Sequence, residues 1–179
     1  MSNIHSLSQQ LAQQLIARGL TMATAESCTG GGVGARLTDL AGSSAWFSGG
    51  IISYSNQAKQ QLLGVSEQQL LAHGAVSEQV VVAMAQGACN QLQADLSVAV
   101  SGVAGPSGGS VEKPVGTVWI AWCRREGGAE KAASMSVTSR CYEFSGDRLA
   151  VREATIKAAL DGLLRQVQVP DLGFCKAPN

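Results

Sequence analysis

Apolar positions along the chain fall into two rhythms that trade places from end to end. Leu7, Leu11, Leu15 and Ile16 recur at helical spacing before Gly19, with Ser6 and Gln9 spaced as a capping box. A short strand follows at 21–25, and Val33, Leu37, Leu40 and Ala41 then mark a second helix closing near Gly42. The aromatic and β-branched stretch 45–54 reads as a strand. Asn56 is placed to cap a short helix ending at Gly64, Ser66 with Gln69 opens another, and Ser77 opens a longer one carrying Val81, Met84, Ala85, Ala88 and Leu92. Residues 96–100 are mostly apolar, as in a strand covered on both faces. The run 115–123 puts Val118, Ile120 and Trp122 on one face, and Glu126-Gly127-Gly128 signals a hairpin turn into a strand over about 131–144. A final helix from Asp147 carries Leu149, Ile156, Leu160, Leu163 and Leu164.

Helices alternating with strands, plus one hairpin, predict an α/β fold: a single layered domain over 1–167 with a mixed β-sheet and helices packed on it. Residues 168–179, with Pro170, Gly173 and Pro178, read as an irregular tail.

Composition narrows the class. The 179 residues are enough to bury a core without disulfide or metal staples. Thirteen basic residues balance 13 acidic ones, which removes the electrostatic basis for binding nucleic acid or an anionic membrane. No apolar run approaches the ~20 residues of a membrane span, and the N-terminus lacks the pattern of a secretory signal. Five cysteines without C-x-x-C spacing and only two histidines, His5 and His73, give no metal site and suit free thiols in a reducing cytoplasm. Composition does not set the oligomeric state, and a homo-oligomer is allowed.

Three segments offer chemistry. Thr24-Ala25-Glu26-Ser27-Cys28-Thr29-Gly30-Gly31 is a strand turning into a helix, where Ser27 can serve as a nucleophile and helix-start amides at Gly30–Gly32 can hold an oxyanion. Equally, Ser27 or Thr29 can be a plain helix cap. Cys28, at a helix start, is a rival nucleophile if exposed. A serine needs a base. His5 lies in a frayed terminus, and His73 can simply end a helix. The alternative is Lys59, just past an apolar strand, which by itself reads as a solvated helix residue. It can act as a base only if its pKa is lowered, by burial against the 51–52 strand. The second segment, Ser101-Gly102-Val103-Ala104-Gly105-Pro106, follows an apolar strand, where open α/β sheets bind ligands. The third, before the last helix, contains Arg148, either an anion clamp or a surface ion-pair residue.

Six ordered motifs together carry a resemblance: the segment from Thr24 to Gly31, Ala41-Gly42-Ser43-Ser44-Ala45-Trp46-Phe47, Tyr54-Ser55-Asn56-Gln57-Ala58-Lys59, His73-Gly74-Ala75-Val76-Ser77-Glu78, the segment from Ser101 to Pro106, and Lys113-Pro114-Val115-Gly116-Thr117-Val118. The series resembles the C-terminal domain of the CinA (competence/damage-inducible) family over about residues 6–166. The resemblance implies a cofactor-free serine amidase that converts nicotinamide mononucleotide to nicotinic acid mononucleotide and ammonia. It implies Ser27 as nucleophile, Lys59 as base and Tyr54 beside it, the phenol orienting the amine or relaying its proton. Thr29, Gly30, Gly31, Ser44, Ser101, Gly102, Gly105 and Arg148 are the expected substrate-binding positions, the last few for the ribose phosphate. Ser101 departs from the threonine common in the family but keeps a hydroxyl. The competing reading is a nucleotide-binding module of the same fold without chemistry.

Overall fold

The computed structural model describes residues 3–126 and 134–168. In chain order they form α1 (Ile4–Arg18), β1 (Met22–Glu26), α2 (Gly32–Thr38), β2 (Phe47–Ile52), α3 (Asn56–Leu63), α4 (Glu67–His73), α5 (Glu78–Gln91), β3 (Leu96–Gly102), β4 (Thr117–Glu126), β5 (Ser134–Glu143) and α6 (Arg148–Gln168), with one 3-10 turn at Ser43–Ala45. The sheet runs β2-β1-β3-β4-β5. β1 is parallel to both β2 and β3, while β4 is antiparallel to β3 and β5. The expected α/β layering with a mixed sheet is therefore present. Of the hairpin turn read at 126–128, Glu126 still belongs to β4 and the other two residues lie outside the described residues. Gln168, read as the start of the tail, ends α6, and 169–179 lie outside them as well.

The two sheet faces differ in side-chain size, and that difference sets the layers. Met22, Leu96, Val98, Val100, Val118, Ile120 and Trp122 join α1, α2 and α6 in one core. On the other face Ala23, Ala25, Ala99, Ala121 and Cys123 are small, so α5 can lie close, packing Val80, Val81, Met84, Ala85 and Ala88 against them. Every residue of β1 is buried, as expected of a strand covered on both faces. Among the described residues no helix is long and apolar enough to cross a membrane.

Local capping departs from expectation in three places. Asn3, not Ser6, caps α1: its side chain accepts from the His5 amide at 3.2 Å, and Ser6 sits inside the first turn accepting from Gln10. His5 is thus helical. Ser55 rather than Asn56 caps α3, accepting from the Ala58 amide at 3.0 Å. The Ser77 hydroxyl donates to the Gly74 carbonyl at 2.8 Å and so caps no amide of α5. The first two are shifts, by three residues and by one, because neighbouring Asn and Ser side chains compete for one helix end; Ser77 keeps the cap position without the cap bond. Ser66 and Gln69 do form the expected capping box.

α6 is seated by Trp122, whose indole N–H donates to the Ala159 carbonyl at 2.9 Å, and a Cβ at Gly162 would run into that indole ring. Gly162→Ala would gain about 0.5–1 kcal/mol of helix propensity, but overpacking a closed core costs about 1–3 kcal/mol. A net loss of stability is expected, read as a lower urea midpoint. An unchanged or higher midpoint would mean that the Trp122 contact is soft.

Candidate active site

β1 leaves the sheet through α2 on one face, whereas β2 returns to β3 by way of α5 on the other. The C-terminal edge of β1 and β3 is thus a topological switch point, where open α/β sheets hold their ligands. Ser27 is the first residue beyond β1, and its amide extends the ladder by donating to the Val100 carbonyl at 3.1 Å. The alternation of β1 consequently runs on by one residue. Ala23, Ala25 and Ser27 face the α3/α5 layer, while Thr24 and Glu26 face α2.

On that α3/α5 side lies Lys59. Ser55 starts α3, and the first turn swings Lys59 inward until it is 1% exposed. Its Nζ stands 3.1 Å from Ser27 Oγ, 2.8 Å from the Ser53 carbonyl and 3.2 Å from the Tyr54 carbonyl. Among the described residues no carboxylate pairs with it. Burial pushes its pKa below the usual lysine value, because desolvation disfavours the ammonium. A neutral amine has two N–H groups and one lone pair. In that form the two carbonyls would take the N–H groups, leaving the lone pair facing Ser27 Oγ at 3.1 Å.

The remaining expected residues divide between two places. Ser27, Tyr54, Lys59, Ser101, Gly102, Gly105 and Arg148 line one cleft of about 270 Å³. Arg148 donates to the Gly105 carbonyl at 2.8 Å and reaches the Tyr54 hydroxyl at 3.4 Å, spanning the rim. Tyr54 therefore meets Lys59 through its backbone carbonyl, not its phenol, which is exposed at the mouth. The expected phenol–amine contact is absent because the side chain of a residue leaving β2 points outward here. Ser101 lines the cleft with its hydroxyl donating to the Ala75 carbonyl at 2.7 Å. Ser44 sits exposed in the 43–45 turn, away from the cleft lining. His73 ends α4 exposed, its carbonyl accepting from Lys113 at 2.9 Å, and is outside the lining too. Cys28 lines the cleft but is only 5% exposed; burial pushes its thiol up to about 11, so it is protonated at neutral pH. A thiol nucleophile there is disfavoured.

Thr29, Gly30 and Gly31 do not line the cleft. The amides at the head of α2, expected to hold an oxyanion, are already occupied. Glu26, 2% exposed, accepts from the amides of Gly31 at 3.0 Å, Val33 at 3.0 Å and Gly34 at 2.8 Å. The Gly30 and Gly32 amides donate to the carbonyls of Ser27 and Thr29. Arg152, one helical turn beyond Arg148, donates to the Thr29 carbonyl at 2.8 Å. Sequence reasoning passed over both Glu26 and Arg152. An acid ending an otherwise apolar strand was the signal available for the first, and the i, i+4 spacing from Arg148 for the second. Among the described residues no three His, Cys, Asp or Glu side chains cluster as metal ligands would.

A family model for the CinA C-terminal domain matches residues 4–167. The chain is 53% identical over 166 residues to the nicotinamide-nucleotide amidohydrolase PncC of Escherichia coli strain K12, covering 92% of this chain and 95% of that protein. To the protein of the same name from Pseudomonas putida it is 48% identical over 165 residues, covering 92% and 98%. The crystal structure of the competence/damage inducible protein CihA from Agrobacterium tumefaciens superposes with a TM-score of 0.86 at 39% identity, covering 94% of this chain and all of that one. Agreement along nearly the whole length, in sequence and in fold, places the chain in the CinA C-terminal domain family.

Proposed function

We propose that this chain hydrolyses the carboxamide of nicotinamide mononucleotide to nicotinic acid mononucleotide and ammonia, through an acyl-enzyme on Ser27 with Lys59 as the base. One observation carries the mechanism: a lysine amine shut away from water, held by two carbonyls, 3.1 Å from a serine hydroxyl. The names of the PncC relatives support the substrate. A module that only binds nucleotides has no use for such a lysine, since burying one is costly.

Lys59 Nζ takes the Ser27 proton as Oγ bonds to the amide carbon, giving a tetrahedral oxyanion. With the head of α2 occupied by Glu26, the donor nearest in sequence is the Cys28 amide, directly after the nucleophile, and we assign it to the oxyanion. Lys59 then returns the proton to the amide nitrogen, the C–N bond breaks and ammonia departs. Water gives a proton to Lys59 as its oxygen adds to the ester carbon; the C–Oγ bond then breaks, Lys59 returns the proton to Ser27 Oγ, and the acid leaves. The Tyr54 carbonyl helps to hold the amine in place, and its ring lies at the mouth. Arg148, already at the rim, exchanges its Gly105 carbonyl contact for the substrate phosphate, with the loop from Ser101 to Gly105 beneath. Unpaired Cys28, Cys89 and Cys123 suit a reducing compartment, which supports a cytoplasmic site of action.

Ammonia release from nicotinamide mononucleotide by the purified protein is the primary assay. Ser27→Ala should lose several orders of magnitude in kcat with its melting temperature unchanged; activity within about tenfold of wild type would remove Ser27 from the mechanism. Lys59→Arg should be as damaging as Lys59→Ala, because a guanidinium stays protonated. In the wild type kcat/KM should rise with pH through an apparent pKa below the ~10.4 of a free lysine.

Arg148→Ala should raise KM for nicotinamide mononucleotide more than for the dephosphorylated riboside. Equal changes for the two substrates would exclude Arg148 from the phosphate site.

Lys59 also leaves a mark on stability. Between its lowered folded pKa and ~10.4, the unfolded chain holds a proton that the folded chain lacks, so its contribution makes stability rise with pH. Below the folded pKa both states are protonated and the burial cost is at its largest. The unfolding free energy of wild type minus that of Lys59→Met should climb across this window and level off above it. A flat difference would mean that Lys59 keeps an ordinary pKa.

A further inference from the structure

The mechanism leaves one buried charge without a part. Glu26, 2% exposed, sits at the end of β1, and its carboxylate accepts five hydrogen bonds. Thr24 Oγ1 at 3.2 Å and the Gly34 amide at 2.8 Å reach Oε1; Thr29 Oγ1 at 2.6 Å and the amides of Gly31 and Val33, each at 3.0 Å, reach Oε2. All five partners are neutral, and three are the orphan amides of the first turn of α2. Taking a carboxylate out of water is expensive, and a cap of this kind needs only Ser, Thr or Asn. The surroundings are shaped to admit it. Gly30 and Gly31 take φ of 58° and 94°, which bend the chain until its amides converge on one point. Gly50 on β2 leaves room for Thr24, whose Oγ1 would lie 2.5 Å from a Cβ there.

We infer that Glu26 is a positioning residue for the reaction: by clamping the head of α2 it fixes the turn Ser27–Thr29 so that Ser27 Oγ stays aligned with Lys59. The inference rests on the serine amidase reading above. Strand alternation puts the Glu26 side chain and the Ser27 side chain on opposite faces of the sheet, so Glu26 cannot exchange protons with Lys59 or touch the substrate. It acts through the backbone. Glu26 also accepts from Thr29, and Arg152 pulls on the carbonyl of that same residue at 2.8 Å, so the turn is held from both sides. The clamp has a second consequence. With its first-turn amides occupied, α2 has no place for the substrate's phosphate, which is left to the Arg148 side of the cleft.

The test compares wild type with Glu26→Gln, which keeps the shape but turns an NH2 group toward amide donors, and with Thr29→Val, which keeps the charge and removes one donor. Three quantities are read: kcat and KM for nicotinamide mononucleotide, the pH at which kcat/KM rises, and the rate at which a fluorophosphonate labels Ser27. In labelling, Oγ bonds to phosphorus, fluoride leaves and Lys59 takes the proton. A misalignment on the order of 1 Å costs about 100-fold. Glu26→Gln should therefore lose about that factor in kcat and in labelling rate, with KM and the pH of the rise unchanged. Thr29→Val should lose about tenfold in both. A purely structural role would lower the melting temperature while leaving both rates per folded molecule intact, and that outcome overturns the inference. So does a shift in the pH of the rise, which would make Glu26 a titrating participant. Should Glu26→Gln fail to fold, Thr29→Val decides by the same criteria. If wild type releases no ammonia, the amidase reading falls, while the labelling ratio still decides the role of Glu26. A wild type that is not labelled at all overturns it, for then no activated serine exists to be positioned.

Discussion

A lysine amine enclosed beside a serine hydroxyl is costly to build, and much of the architecture can be read as the means of building it. In the proposed reaction Lys59 must lose water without gaining a carboxylate, since a carboxylate would restore the ammonium and remove the base. The fold meets this with backbone. β2 ends so that the carbonyls of Ser53 and Tyr54 converge on Nζ, and α3 starts at Ser55, close enough to swing Lys59 inward in its first turn. Two neutral acceptors hold the amine in place without strongly favouring its charged form.

The asymmetric sheet supports the same arrangement. Alanines on one face of β1, β3 and β4 let α5 approach, while larger residues on the other face meet α1 and α6. Ser27 follows Ala23 and Ala25 onto the close-packed side, where the lysine can be sealed from solvent. Glu26 falls on the other side, where the head of α2 receives it. Adjacent side chains thus face opposite ways, the Ser27 hydroxyl toward the cleft and the Glu26 carboxylate away from it, separated by the pleat of one strand.

Cys28 shows the same separation at shorter range. It follows Ser27 directly and has the softer, more reactive atom. Yet burial pushes its thiol up to about 11, with Glu26 contributing in the same direction. Position in a motif does not make a nucleophile; access and charge do.

Periodicity alone carried the alternation of helices and strands, the capping box at Ser66 and Gln69, and the inward face of Val118, Ile120 and Trp122. These are local properties, decided by residues two to four positions apart. The glycine-rich turn and the scarcity of histidine left Ser27 open between nucleophile and cap and Lys59 between base and solvated helix residue, and only the family motifs paired the two. Which atoms meet was settled only in three dimensions. That Tyr54 gives Lys59 its carbonyl and Arg148 its phenol depends on the direction in which the chain leaves β2. That Glu26 fills the amides expected to hold an oxyanion depends on two left-handed glycines bending the head of α2 back over β1. A sequence states which donors and acceptors exist. Their pairing depends on angles and distances between segments, which local propensity does not determine, so only the packed tertiary structure could decide it.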